Sequence, residues 1–365
     1  MLTRIESLAL LDADVDVFLL NKPSEGMADL SALDFGNHIV LRQFQMIARP
    51  SLRMLMKYPV CVAKRYVPEV AELLSRRQYD AVIYEGAQVG AYRFEDKVNA
   101  RQHILYYHDI ESIYRAQLAK SEKNVFRHYM QGRESRLFAR MEQRLPELFD
   151  NHLFISCEEC EIFREKYGLG ERAQYAPYTV DRISDHVPTT VVPGRILYVG
   201  DMSLDSNYRS VEWFVREALP LVRPNAISVE LRLVGRISEN SKTLLESLDP
   251  RVHVLGYVDD LEAEYQSATC MISPILYGAG VKVKLIDALA KGQIVIANTK
   301  ACEGTKLLDA GCLLVADDPA EMAQLCTDVL VDRSAYVTMA EKALTFIRKN
   351  HSKEAQAELL REEIL

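Results

Sequence analysis

Two lysines and an aspartate follow a glycine-rich loop in the second half of the chain. The loop, Tyr277-Gly-Ala-Gly280, comes after a short apolar strand, Cys270–Ile272, and before a helix predicted over Val281–Lys291 that ends at Gly292. Such a loop at a helix start binds phosphate, because backbone N–H groups and the positive end of the helix dipole face the anion. The spacing therefore predicts an anion site at Tyr277, Gly278, Ala279, Gly280 and Lys282.

The predicted helix has one apolar and one polar face. The apolar face would pack on a sheet and consists of Val281, Leu285, Ala288 and Leu289. Gly280, Lys284 and Asp287 share the polar face, so Lys284 can reach a diphosphate and Asp287 can accept hydrogen bonds from ribose hydroxyls. Lys282 points to another side by helical spacing, although near a helix start its side chain can also bend to the loop. An ordinary solvated Lys–Asp pair accounts equally well for Lys284 and Asp287.

The ordered pattern, from Pro274 through the glycines, lysines and acid to Glu303-Gly304, resembles the donor-site segment of GT-B glycosyltransferases of the family 4, or group 1, type. This resemblance implies an α/β fold in which two Rossmann-like, doubly wound parallel-sheet domains face a cleft. It implies an enzyme, a hexosyl- or related transferase, that moves a sugar from a nucleotide-diphosphate sugar to a glycan or lipid-linked acceptor. Retention of anomeric configuration and a role in surface polysaccharide or glycoconjugate synthesis are further implications.

Length and patterning agree with two domains. The chain has 365 residues, and in its second half apolar strands alternate with helices, which is typical of a parallel sheet. We expect an N-terminal, acceptor-side domain over residues 1–185, a nucleotide-sugar domain over 186–345 and a C-terminal helix, 346–365, that crosses back to the first domain. GT-B enzymes usually begin with a strand and glycine loop, whereas Met1 already stands in what resembles the following helix.

The resemblance assigns further site residues. His108 follows a predicted strand and begins a segment, His-Asp-Ile-Glu-Ser112, that is similar to a family motif, so His108, Lys284 and Asp287 are the expected catalytic residues. The remaining expected donor-binding residues lie after strands or in the Glu-Gly pair, namely Gly200, Asp201, Asn207, Gly235, Tyr257, Val258, Glu303 and Gly304. The base is expected near Tyr257. Better-known members have an arginine or lysine near Asp201 and Asn207, and many have an acid where Ala279 stands.

Charge and composition limit the partners. The net charge of −8 argues against a nucleic-acid binder, and no run approaches the roughly 18 apolar residues of a membrane span. A cytoplasmic protein is expected, because the N-terminus has no signal peptide. We expect no metal and no cofactor beyond the donor, since fixed cationic groups can offset the diphosphate charge. The acids of Asp12-Ala-Asp14-Val-Asp16 do not indicate a metal site, because they precede a strand instead of following one.

The stretch from Arg42 to Arg77 is basic and interleaved with apolar residues. It could touch anionic lipid or a lipid-linked acceptor, which would make the protein peripheral at the inner face of the membrane. A pair of ordinary surface helices is the alternative. Two other functions also stay open: a catalytically degenerate GT-B subunit that binds a partner, and a GT-B-fold nucleotide-sugar epimerase.

Overall fold

The computed structural model describes residues 2–11, 13–27, 38–95, 97–122, 124–278 and 280–364. It divides into two compact units. Unit 1 comprises Met1–Pro177 and Gln356–Leu365, and unit 2 comprises Tyr178–Ala355. The division differs from the predicted boundaries at residues 185 and 345, because Val180 donates a backbone hydrogen bond to the carbonyl of His351 (2.9 Å) and so ties the predicted linker to unit 2.

Unit 1 contains two sheets of parallel strands, and helices cover them. The strands are β1 Val15–Asn21, β2 Ile39–Gln45, β3 Tyr79–Glu85, β4 Ala100–Tyr107, β5 Asn151–Phe154 and β6 Ala173–Tyr175. The helices are α1 Leu2–Ala9, α2 Leu52–Lys57, α3 Val60–Arg65, α4 Pro68–Arg76, α5 Ala91–Phe94, α6 Glu111–Ser121, α7 Val125–Glu142, α8 Leu145–Leu148 and α9 Cys157–Tyr167. Strands β1 and β2 pair with each other, and the second sheet has the order β3-β4-β5-β6.

The core of unit 1 is rich in aromatic rings. Tyr107 and Phe154 stack at 4.3 Å between centroids, and Phe163 from α9 packs on both. Three helices, α6, α7 and α8, follow β4 in this unit. Asn124 starts α7, because its side chain accepts a hydrogen bond from the Arg127 N–H (3.1 Å).

Unit 2 is a parallel sheet of six strands with helices between them. Its strands are β7 Arg195–Val199, β8 Glu230–Val234, β9 Val252–Gly256, β10 Cys270–Ser273, β11 Val295–Ala297 and β12 Leu314–Val315. Its helices are α10 Asp205–Trp213, α11 Glu239–Leu248, α12 Leu261–Ser267, α13 Val283–Ala290, α14 Thr299–Cys302, α15 Leu307–Ala310, α16 Pro319–Val331 and α17 Val337–His351. A last helix, α18 Lys353–Ile364, begins in unit 2 and continues in unit 1.

The strand order in unit 2 is β12-β11-β10-β7-β8-β9, so the chain reverses its direction across the sheet between β7 and β10. Both faces of the sheet are covered by apolar residues, as a parallel sheet requires. This is the strand order of a dinucleotide-binding Rossmann domain, in which ligands bind outside the carboxyl ends of the strands at the reversal point. No helix of the described ranges is long and apolar enough to span a bilayer.

Candidate functional site

The loops after β7 and β10 open at the same edge of the unit 2 sheet. The two strands are hydrogen-bonded neighbours, with Cys270 opposite Ile196 and Met271 opposite Leu197. Residues from Gly200 onward and from Pro274 onward therefore meet at the point where strand order reverses.

The first turn of α10 holds the glycine loop in place. The Tyr277 hydroxyl donates a hydrogen bond to the Asp205 carboxylate, and Gly278 lies beside Ser206. Gly278 and Gly280 have φ values of +125° and +76°, a region of backbone conformation that favours glycine. Ala279, which was also predicted to line this loop, lies outside the described residues.

Helix α13 begins at Val283, two residues later than predicted, with Lys282 as its N-cap. Gly280 is therefore not on the helix, and the predicted stripe of Gly280, Lys284 and Asp287 is reduced to its last two members. The ammonium group of Lys282 bends back to the loop, which was the expected alternative to the sideways direction given by helical spacing. It donates hydrogen bonds to the carbonyl oxygens of Gly280 (2.5 Å) and Gly278 (3.4 Å). These bonds hold the side chain at the loop.

Lys284 reaches across from α13 to the loop after β7. Its Nζ donates to the Tyr198 hydroxyl (2.8 Å) and to Oδ1 of Asn207 (2.9 Å), and it lies 4.6 Å from the centroid of the Tyr198 ring. The side chain is half-buried. Burial, with a smaller repulsion from Lys282, lowers the pKa of Lys284 to about 7. The arrangement is a constrained cation at a helix start.

Asp287 lies one turn further along α13 and is half-buried. Its carboxylate has no hydrogen bond or ion pair with any other described residue. Burial raises the pKa of Asp287 to about 6, and repulsion from Asp181 adds to the rise while Lys291 opposes it. A partly buried carboxylate without a donor can accept hydrogen bonds from ligand hydroxyls.

Gly200, Asp201 and Gly235 form the edge of the sheet next to Lys284. A Cβ atom at Gly235 would lie 1.9 Å from the Gly200 carbonyl oxygen, so the two backbones touch. Asp201 forms an ion pair with Arg236 (2.5 Å) and accepts a hydrogen bond from Ser203. These contacts hold the Asp201 carboxylate beside Arg236 and Ser203.

A groove of about 500 Å³ lies beside this edge, at the place predicted for the base. Its lining residues include Ser203, Arg236 and Tyr257, and the Tyr257 side chain is 80% exposed. Val258 instead packs partly into the core. Glu303 pairs with Lys300 at 2.5 Å, and Gly304 follows it with φ of +83°. Among the described residues, no hydrogen bond or ion pair joins Glu303 to Lys284 or Asp287.

His108 stands in unit 1, directly after β4. Its Nε2 lies 3.2 Å from Oε2 of Glu85, and Nε of Arg4 lies 3.5 Å from the other oxygen of the same carboxylate. Burial opposes ionisation of Glu85, but Arg4 and His108 outweigh it and leave the pKa of Glu85 lowered. The carboxylate therefore stays charged and can orient the imidazole ring.

Two residues of the site were not predicted from the sequence. Tyr198 lies in an apolar strand and is fully buried, so it looks like a core residue until Lys284 is seen above it. Arg236 directly follows Gly235 at the end of β8, and its position after a parallel strand was the available signal.

The acidic stretch that leads into β1 has partners within unit 1. Asp16 pairs with Arg77 (2.8 Å), and Asp14 lies 3.2 Å from His38, while Asp12 is outside the described residues. Within the described ranges, no group of three or more histidine, cysteine or acidic side chains is arranged to hold a metal ion.

The sequence is similar to a known family and to a known protein. Residues 193–332 match the family described as glycosyl transferases group 1. An uncharacterized 44.6 kDa protein in the cps region of Klebsiella pneumoniae is 25% identical over 363 residues, which cover 96% of this chain and 91% of that protein.

Solved structures show the same fold over nearly the whole chain. WaaG, a glycosyltransferase involved in lipopolysaccharide biosynthesis, matches with a TM-score of 0.66 at 16% identity, covering 100% of this chain and 94% of WaaG. HepE from Anabaena in complex with UDP matches with a TM-score of 0.65 at 13% identity, covering 99% and 94%. The chain thus has the GT-B fold, and its second unit carries a domain that matches the glycosyl transferases group 1 family.

Proposed function

We propose that unit 2 binds a nucleoside diphosphate sugar and that the enzyme transfers the sugar to a glycan or lipid-linked acceptor. The observation that carries this proposal is Lys284, whose ammonium group is held at the start of α13 and at the strand-order reversal point. A diphosphate placed there meets both this charge and the positive end of the α13 dipole.

The same groups account for catalysis. When the bond from sugar to diphosphate breaks, negative charge grows on the leaving phosphate, and a positioned cation stabilises the transition state more than the ground state. Asp287 accepts hydrogen bonds from the ribose hydroxyls, and the base lies in the groove beside Tyr257. In unit 1, Glu85 engages Nε2 of His108, so Nδ1 remains for the sugar or the acceptor hydroxyl.

A thermal-shift panel of UDP, GDP, ADP and their sugars tests the proposal. A ligand that binds only the native protein stabilises it by about 2.7 kcal/mol at one hundred times its dissociation constant. UDP is the first choice, because the similar HepE was crystallised with it. If none of these compounds raises the melting temperature, the proposed donor site is wrong.

We also propose that transfer needs no metal ion and proceeds with retention. Lys284 and the α13 dipole supply positive charge at the diphosphate, and the group 1 resemblance supports retention. EDTA should leave turnover unchanged. Activity that disappears on chelation and returns with Mn²⁺ or Mg²⁺ would contradict metal independence, and NMR of the first-formed product anomer checks the stereochemistry.

The acceptor belongs, in this proposal, to surface polysaccharide synthesis at the inner face of the cell membrane. The relative in the Klebsiella cps region and the involvement of WaaG in lipopolysaccharide biosynthesis support it. Most apolar residues of the stretch 42–77 pack inward, but Leu52 and Met56 of α2 are 74% and 72% exposed. Exposed basic residues, including Arg49 and Arg53, flank them. We propose this narrower surface as the membrane contact.

The start of α7 extends the apolar part of this surface. Val125, Phe126 and Tyr129 are exposed there, and Arg133 of the same helix donates a hydrogen bond to the Leu55 carbonyl of α2. Sedimentation with vesicles tests the contact. We expect binding to vesicles that contain anionic phosphatidylglycerol and weaker binding after Leu52→Asn with Met56→Gln. Equal binding by wild type and variant would rule this surface out.

A further inference from the structure

We infer that Tyr198 and Asn207 are positioning residues that hold the Lys284 ammonium group in place for the diphosphate. The inference rests on the proposed donor site, and it names two side chains that act through the lysine and need not touch the sugar. Both come from the β7 side of the reversal point, whereas Lys284 comes from α13. They therefore join the two halves of the site.

Tyr198 contacts the Lys284 ammonium group with both its hydroxyl and its ring. It is fully buried in β7, its hydroxyl accepts a hydrogen bond from Nζ, and its ring lies under the same ammonium group. A Cβ atom at Gly200 would lie 2.9 Å from this hydroxyl. The phenol thus fills the space beneath the loop, and residue 200 has no room for a side chain.

Asn207 fixes Lys284 from the side. Its Nδ2 donates to the backbone carbonyl of Asp201 (2.9 Å), and its Oδ1 accepts from the lysine. The opposite amide orientation would place an NH₂ group against an ammonium group and a carbonyl oxygen against a carbonyl oxygen. This pattern of donor and acceptor therefore fixes the orientation of the Asn207 amide, and the amide in turn holds the Lys284 ammonium group in position.

The count of donors leaves one for a ligand. A lysine ammonium group has three N–H donors, and within the described residues two of them are used by Tyr198 and Asn207. The third can meet a phosphate oxygen. Two oxygen acceptors also favour the charged form of a half-buried lysine, which burial alone disfavours.

Binding of a nucleoside diphosphate and of the matching nucleoside separates this role from a structural one. With whichever of UDP, GDP and ADP the wild type binds, Tyr198→Phe and Asn207→Ala should each weaken the diphosphate about tenfold, the size of one charge-assisted hydrogen bond. Calorimetry should show unchanged binding of the nucleoside, because it has no phosphate. Tyr208→Phe, a half-buried tyrosine on α10 outside the site, is the matched control.

A charge exchange makes the test stricter. Lys284→Asn should weaken the diphosphate about a hundredfold, as loss of a preorganised cation does. Adding Asn207→Lys should restore at least tenfold of this loss, since the ends of the two side chains are 2.9 Å apart. Diphosphate binding that is unaffected by Tyr198→Phe and Asn207→Ala, or equal losses for nucleoside and diphosphate, overturns the positioning role alone. A wild type that binds none of the three diphosphates overturns the proposed donor site as well.

Discussion

In the proposed donor site, Lys284 combines a positive charge with partial burial. The cation is useful because the site is partly dry, since electrostatic attraction to phosphate is stronger where water is excluded. The same dryness lowers its pKa to about 7, so part of the empty enzyme is uncharged at neutral pH. A bound diphosphate favours the charged form.

Replacing Lys284 with methionine should reduce kcat by a factor of about 10² to 10³, because one preorganised charge at a developing anion is lost. Steady-state kinetics measure it. Lys282 is unsuitable as the control, because it holds the carbonyls of Gly278 and Gly280. Lys349→Met, at an exposed position of α17, is better matched. Similar activity for both variants would show that Lys284 carries no catalytic charge.

The stability difference between wild type and Lys284→Met should depend on pH. The pKa of Lys284 is about 7 in the folded protein and near 10.4 in an unfolded chain, so the unfolded state binds more protons between these values. Stability from this group therefore rises with pH across that window, by at most about 1.4 kcal/mol per unit. Melting curves from pH 6 to 10 measure it. A difference that stays constant over this range would contradict a depressed lysine pKa.

Part of the site follows from residue types and part does not. Lys284 and Asp287 could be found because a glycine loop, a helix and their spacing are local features. Tyr198 could not, since its partner is 86 positions away and a tyrosine in an apolar strand looks like core. The contacts of Lys282 depend on where α13 starts. The residue types did not show that start, because it depends on the backbone conformation at Gly280.

At the scale of elements, the unit 2 sheet determines which loops meet. The apolar strands that were expected to alternate with helices in the second half are present in unit 2, whereas β2 and β6 of unit 1 were not predicted, because the second half of β2 is mostly polar and β6 has three residues. Strand order was not predicted, although it brings the β7 and β10 loops together. The close contact between Gly200 and Gly235 was not predicted either, because it depends on β7 and β8 being neighbours.

Gly235→Ala should destabilise the protein much more than Gly256→Ala. Both glycines have positive φ, which costs an alanine about 1–2 kcal/mol. At Gly235 the new Cβ would also overlap the Gly200 carbonyl, whereas at Gly256 no atom lies within 4 Å. We expect Gly235→Ala to lose at least twice as much, in chemical denaturation. Equal losses would mean that the β7 and β8 loops move apart at little cost.

At the scale of the whole molecule, the chain leaves unit 1 at Pro177 and returns to it at Gln356. The returning segment contributes the fully buried Leu360, and Glu363 accepts a hydrogen bond from Gln174 in β6. Two-unit organisation could be predicted from length and from the alternation of strands and helices. The boundaries could not, because backbone hydrogen bonds such as that between Val180 and His351 fix them and leave no composition signal.

Leu360→Ala should destabilise unit 1 by about 2–5 kcal/mol, the usual cost of emptying a buried leucine site. Hydrogen exchange should accelerate in β5 and β6 while β7, β8 and β10 keep their protection. Glu358→Ala, at an exposed position two residues earlier, is the control. Faster exchange confined to unit 2 would show that the last helix stabilises the other unit.

The chain has a single tryptophan, Trp213, and it lies at the end of α10. Asn207 lies on the same helix, six residues earlier or about 9 Å along the axis. The native protein therefore contains one indole fluorophore, built into the helix that contacts the glycine loop. Its emission spectrum and quenching by iodide report on unit 2 without a label and without background from unit 1, so nucleotide titrations and domain-specific unfolding can be followed in the unmodified enzyme.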